Sequence, residues 1–399
     1  MVKNSLYPRL YYELLFAGSS LMLGMGLSGA FLPILSWELD PTGLLVGFVT
    51  SAWFLARIFT ELPSGLLSDM LGRRRLALFG LTVSLVGTLM CASSHFIHQL
   101  ILGRALWGLG AAFFFTNNTA LIFDMFEPSV RGKALGTLQA IEFLGSLVGT
   151  PLGAVSATFF GYYSVFYVAS LMTLLSFFVA FLSKGLKQAT SSQRERHTSI
   201  SICEALKGLR SWALLVACLA IMTRMLVTHG VMLTVFQLYL NQVLSYDVAL
   251  IGLIMGVRTA GFCAATFLSG RLTDRLGLRP VITVGLLVEG ICLCLYTMTN
   301  SLTYVIVVGL LEGFGGGAIW LTLSILLSRA VPARMRGSAV GLFRTFMALG
   351  GILGPVIFMF VYDSIGRSVP FLAGAALLMT NLPLVVSVRK RHMLEVTSP

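Results

Sequence analysis

Gly65-Leu-Leu-Ser-Asp69-Met-Leu-Gly72-Arg73-Arg74-Arg75 and, 205 residues later, Gly270-Arg-Leu-Thr-Asp274-Arg-Leu-Gly277-Leu-Arg279 are two copies of one polar loop, each set between long apolar stretches. Sliding the chain against itself by the same 205 residues, without a gap, also brings Gly108 onto Gly313, Gly110 onto Gly315, Gly145 onto Gly350, Gly149 onto Gly354 and Phe166 onto Phe371. A register held over that distance marks an internal duplication.

The solvent of each copy follows from composition. Of 399 residues 56% are hydrophobic and 11% charged, and the mean hydropathy is +0.88, more apolar surface than a water-soluble core can bury. A membrane-spanning helix needs about 20 mainly apolar residues. Breaks at Pro, Gly and charge clusters divide the chain into twelve stretches of that length, six from Leu10 to Leu182 and six from Trp212 to Val388. In hydrocarbon each must be a helix, because every backbone polar group needs a partner within its own segment. The first stretch, Leu10 to Leu35, is too long for a signal-peptide core and is expected to remain as span 1. The expectation is an all-α membrane protein of two pseudo-symmetric six-helix bundles, residues 1–185 and 211–399, joined by a polar linker over 186–210. An even number of spans per copy gives both copies the same sense in the membrane, related by an axis along its normal, which is a transporter arrangement.

A net charge of +12 would suggest nucleic acid in a soluble protein, but here its location matters more than its sum. Basic residues crowd one side, from Arg73, Arg74 and Arg75 through Arg194, Arg196 and Arg271 to Arg389, Lys390 and Arg391, whereas Arg367 falls on the other. That bias predicts cytoplasmic termini in a multi-pass protein of the cell (inner or plasma) membrane, with no nucleic-acid partner. The six cysteines show neither a CxxC spacing nor an outer-loop pair, so neither a disulfide framework nor a zinc site is expected.

The loop after span 2 follows G-x-L-x-D-x-x-G-R-[RK], and in this the chain resembles the major facilitator superfamily; the copy after span 8 departs at Leu278. The resemblance covers the whole chain and implies the major facilitator fold. It also implies that Asp69 latches the halves on the cytoplasmic side, with Gly65 and Gly72 permitting a tight turn, Arg73, Asp124 and Arg131 forming a charge relay, and Gly270, Asp274 and Gly277 echoing the latch. Leu102-Gly-Arg104-Ala-Leu-Trp107-Gly108-Leu-Gly110 resembles a second motif, whose arginine the family links to proton transfer. Gly145, Gly149, Pro151 and Gly153 on span 5 resemble the stripe of its antiporters, although Thr150 separates glycine from proline; Gly354 and Pro355 on span 11 are adjacent.

Ionisable residues inside a bilayer are costly and are functional candidates by default. Arg57, Arg104, Glu142, Arg224, Arg258, Glu289, Glu312 and Arg344 all fall well inside spans. The resemblance places spans 1, 4, 7 and 10 around the central cavity, which favours Arg104, Asn117, Asn118, Arg224, His229 and Glu312 as lining residues, with Arg57, Arg258 and Arg344 flanking. Asn118 lies about 40° around span 4 from Arg104, and Phe115 adds an aromatic wall. A carboxylate in a partly dehydrated cavity can trade a proton against substrate; Glu142 or Glu312 is the expected coupling group, with Glu61 third, and each could equally be a fixed partner of Arg57, Arg258 or Arg344. Glu289, on an outer span, is expected to be structural.

The sequence contains no P-loop, no nucleophile and base in a supporting context and no metal-ligand cluster, so an enzyme is not expected, nor a metal or a cofactor, and energy must come from a gradient. The leading expectation is a monomeric, proton-coupled, alternating-access exporter of amphipathic small molecules or drugs. The alternative is a transporter of an anionic metabolite or lipid, suggested by the excess of intramembrane arginine.

Overall fold

In a computed structural model of the chain, residues 9–189, 211–298, 301–331 and 336–388 are described, and all regular structure among them is helical. Twelve helices are long and apolar enough to cross a membrane. Span 1 is Arg9–Leu27, span 2 Gly43–Leu71, span 3 Arg73–Ala92, span 4 Ile97–Met125, span 5 Pro128–Phe160 and span 6 Tyr162–Leu182. Span 7 is Trp212–Gln242, span 8 Val248–Leu276, span 9 Leu278–Leu295, span 10 Leu302–Ala330, span 11 Arg336–Ser364 and span 12 Val369–Ser387. Most of the expected linker, residues 190–210, lies outside the described residues, while Lys184–Ala189 forms a short helix across its expected start.

Two compact units emerge, one built mainly from spans 1–6 and the other mainly from spans 7–12. Within the first, span 1 packs on spans 5 and 6, and span 3 on spans 4 and 6; within the second, span 7 packs on span 11, and span 9 on spans 10 and 12. Large apolar side chains also stand open on the outside: Phe159 and Phe160 are each 76% exposed and Phe267 80%. Water would penalise such surface heavily; lipid does not, which is why the polar groups have turned inward.

Glycine decides where helices approach. A Cβ on Gly145 would stand 2.6 Å from the carbonyl oxygen of Ser19, and one on Gly149 2.6 Å from that of Leu23, so this stripe seats span 5 against span 1. Gly350 and Gly354 seat span 11 against the carbonyls of Met222 and Leu226. Gly72 and Gly277 open spans 3 and 9 at φ 86° and 85°, backbone that side-chain-bearing residues rarely adopt.

Two spans depart from their expected form at corresponding places. Span 1 ends at Leu27 in a turn before a separate helix, Leu32–Leu39, rather than running on to Leu35. Span 7 widens into a π-helix over Thr228–Val235 before Phe236–Gln242 resumes the α form.

Candidate functional site

The second unit buries a cluster of four charges. Arg258 on span 8 reaches Glu312 on span 10 with two nitrogens, Nη2 donating to Oε1 at 3.0 Å and Nε to Oε2. Arg224 on span 7 stands 3.6 Å from Glu289 on span 9. Arg224 is 1% exposed and both carboxylates are fully enclosed. The glycine run after Glu312 makes the space. A Cβ on Gly313 would overlap the Arg258 carbonyl, one on Gly315 would stand 3.0 Å from the Glu289 amide nitrogen, and one on Gly316 2.6 Å from Arg224 Nη2. Charges leave water only with partners, and here each arginine has a carboxylate. The Glu289–Arg224 pair gives Glu289 a structural place on its span.

The first unit fills the corresponding places without charge. Gly108 meets the Trp53 backbone as Gly313 meets that of Arg258, and Gly110 meets Ser84 as Gly315 meets Glu289. Trp53 therefore stands for Arg258, Trp107 for Glu312 and Ser84 for Glu289. Span 7 matches span 1 at an offset of 203, since Gly145 faces Ser19 where Gly350 faces Met222; Leu21 then answers Arg224.

That unit keeps its own polar site elsewhere. Glu142 on span 5 is 8% exposed, and its Oε1 lacks a hydrogen bond. A Cβ on Gly18 of span 1 would stand 2.6 Å from that oxygen and 3.4 Å from Asn118 Nδ2 of span 4, so the absent side chain of Gly18 lets the three spans share one polar pocket. Asn118 is 1% exposed, and its amide faces the Glu142 carboxylate. Arg57 on span 2 is half-buried, over the Trp53 ring at 4.5 Å and within electrostatic reach of Glu142. Arg104 is buried with its guanidinium carbon 5.2 Å from the Trp107 ring centre, and its Nε has no hydrogen bond.

At the end of the first unit that holds the loop after span 2, Arg73 Nε lies 2.8 Å from Asp124 Oδ2. Asn117 donates its Nδ2 to the Arg73 carbonyl at 2.7 Å, tying span 4 to span 3. Arg74 Nη2 donates to the Phe181 carbonyl at 2.8 Å, and 205 residues on Arg279 donates to that of Val386 at 2.9 Å; each closes the end of the last span of its unit. Asp274 is exposed, and Gly270 and Gly277 are half-buried. The side chains of Glu61, Asp69 and Arg131, and the surroundings of Gly65, lie outside the described residues.

His229 falls in the π-helical part of span 7, half-buried. Arg344 is half-buried on span 11, and Phe115 stacks edge-on with Phe114 at 5.5 Å. The sequence reading passed over Gly18, Trp53 and Ser183. For Gly18 one signal was available, the run of small residues Ala17-Gly18-Ser19-Ser20 on a span expected to line the cavity.

Twelve spanning helices in two duplicated bundles, with ionisable side chains enclosed inside each, define a polytopic solute carrier. The Major Facilitator Superfamily profile matches residues 14–241 and again 213–397, and the chain belongs to that superfamily. Its members move small molecules across membranes rather than catalyse reactions. Among curated relatives, Multidrug resistance protein MdtG of Escherichia coli is 26% identical over 376 residues, 90% of this chain and 91% of that protein. Multidrug resistance protein 2 of Bacillus subtilis is 24% identical over 371 residues, 91% of each. Multidrug resistance protein 3 of the same organism is 32% identical over 157 residues, 38% of this chain and 30% of that protein, so the match spans under a third of its length. In fold the chain is similar to nucleoside transporter NupG, with a TM-score of 0.77 at 12% identity over 96% of this chain and 99% of that one. A bacterial homolog of the human lysosomal transporter Spinster, in an inward-facing and occupied conformation, gives 0.77 at 14% identity over 97% and 98%.

Proposed function

We propose that this transporter exports amphipathic small molecules in exchange for protons, with Glu142 as the coupling carboxylate and both termini in the cytoplasm. One observation carries the reading: of the three carboxylates enclosed among the described residues, Glu289 and Glu312 each have an arginine within 4 Å, whereas Glu142 has none there. An opposite charge beside a carboxylate favours its charged form. One in a largely apolar enclosure gains a proton when water is excluded and releases it when water or a cationic solute arrives.

The multidrug resistance relatives support the substrate class, and the glycine stripe of span 5 supports antiport. An anionic solute is less well served, because Arg224 and Arg258 are each neutralised by a carboxylate. The test uses the purified full-length protein in liposomes loaded with ethidium. An imposed pH gradient is expected to drive dye movement in the native protein and to lose that effect in Glu142→Gln. Dye movement indifferent to the gradient in the native protein overturns the proposal.

A further inference from the structure

We propose that Arg344 is the recognition point for an anionic group on the solute, so that the amphipathic molecules carried include ones bearing a carboxylate or a comparable anion; this rests on the reading of the chain as an exporter of amphipathic small molecules. Arg344 lies eight residues after Arg336, where span 11 begins, and so about 12 Å along that helix. A cation at such depth is costly unless it meets an opposite charge or an open, polar space. Arg224 and Arg258 have Glu289 and Glu312 beside them. Arg344 makes no ion pair, hydrogen bond or ring contact among the described residues, and it is half-buried rather than enclosed.

The open side of Arg344 is not the lipid side. From Gly350 onward, the large apolar side chains that span 11 leaves open are Leu353, Ile357 and Phe360. At about 100° per residue, Arg344 lies at least about 140° from each of these and within about 60° of Val340, Gly341, Pro355, Met359 and Tyr362. In the later half of the span that second stripe is covered: Pro355, Met359 and Tyr362 are buried, and the Tyr362 hydroxyl donates to Gln242 Oε1 of span 7 at 3.0 Å. Toward the start of the span the same stripe opens, with Val340 exposed and nothing within 4 Å of a Cβ on Gly341. Arg344 stands where it opens. In the first unit, 205 residues earlier, Gly136 is equally open but Gln139 takes the place of Arg344. A neutral side chain thus serves the scaffold at that position, and the charge on span 11 is left for a ligand. A guanidinium donates N–H groups in a fixed fork and accepts nothing, which matches the two oxygens of a carboxylate. A lipid headgroup offers the same acceptors, but Arg344 is turned away from the stripe that meets lipid.

The test uses a matched pair of dyes, tetramethylrhodamine with a free carboxylate and its methyl ester, which differ by that one charge. Full-length native protein, Arg344→Gln and Arg344→Lys are reconstituted in phosphatidylcholine liposomes with and without phosphatidylglycerol, and the initial rates of both dyes are recorded. The ratio of carboxylate to ester movement is expected to fall about tenfold in Arg344→Gln, as a lost charge-assisted hydrogen bond would make it. Arg344→Lys keeps the charge without the fork, and its ratio should fall less. Should Arg344→Gln fail to fold, Arg344→Lys decides on the same ratio. A native ratio in folded Arg344→Gln overturns the inference, and so does a native protein that moves the ester alone. An Arg344→Gln protein that keeps the native ratio but loses a response to phosphatidylglycerol also overturns it, by assigning the residue to a lipid headgroup. A native protein that moves neither dye removes the exporter reading, and the inference with it.

Discussion

Arg258 and Glu312 join span 8 to span 10 through two N–H···O contacts, in the place that the first unit fills with the indoles of Trp53 and Trp107. One scaffold position thus accepts either a paired charge or an aromatic body. The choice carries a thermodynamic signature. Removing one partner strands a charge in the bundle and costs about 3–5 kcal/mol, whereas replacing both with apolar residues of similar size can be neutral. Arg258→Met and Glu312→Met are each expected to lower the unfolding temperature in detergent strongly, and the double variant to recover most of the loss. A double variant as unstable as the sum of the singles refutes the pairing.

Glycines in the same stripes differ sharply in what they tolerate. A Cβ on Gly313 or Gly153 would overlap a backbone carbonyl, of Arg258 or Leu27, which cannot yield without separating two spans. Gly136 and Gly341 have nothing within 4 Å of that position. Gly313→Ala and Gly153→Ala are expected to abolish monodisperse protein in size-exclusion chromatography. Gly136→Ala and Gly341→Ala should be neutral or stabilise by up to about 1 kcal/mol from helix propensity.

Gly18→Ala isolates the pocket of Glu142. The added methyl would stand 2.6 Å from the carboxylate oxygen, and the side chain can swing aside, so folding should persist. Glu142 then leaves Asn118. Gradient-driven ethidium movement is expected to fall well below the native rate at unchanged yield; native kinetics in this variant would show that the position of the carboxylate does not matter.

At the Arg73–Asp124 pair the asymmetry of burial sets the outcome. The arginine side chain is 5% exposed and the aspartate 38%. Water screens the aspartate but not the arginine it faces, so Asp124→Asn is expected to cost more than the roughly 1 kcal/mol of an exposed pair. Arg73→Ala removes packing as well as charge and frees the span 4 end, so its loss of thermal stability should be clearly larger. Equal shifts in the two variants would contradict this assignment.

The duplication, the twelve spans and the turn glycines 72 and 277 were all legible before any coordinates, because each depends on local composition or on repetition at fixed spacing. Arg258 stood among three candidate partners for Glu312, but the choice among them and the Arg224–Glu289 pair were not legible. Arg224 and Glu289 stand on different spans, and whether two such side chains meet depends on how each helix is rotated about its axis, which a sequence states only relative to its own neighbours. The run Glu312-Gly-Phe-Gly-Gly-Gly did contain the clue, since consecutive glycines on a spanning helix announce that something bulky approaches from outside. The hydrogen bond from Asn117 to the Arg73 carbonyl was not legible for a related reason, since it depends on how closely spans 3 and 4 fold together. The π-helical turn in span 7 left no trace in composition, because it is imposed by packing rather than by residue preference.

That wide turn has a mechanical meaning. A π-helical stretch holds a surplus residue compared with an α-helix, and each residue contributes about 100° of rotation. Let the surplus migrate along Thr228–Val235, and the segment from Phe236 to Gln242 is turned on its axis while its main chain stays continuous and bonded.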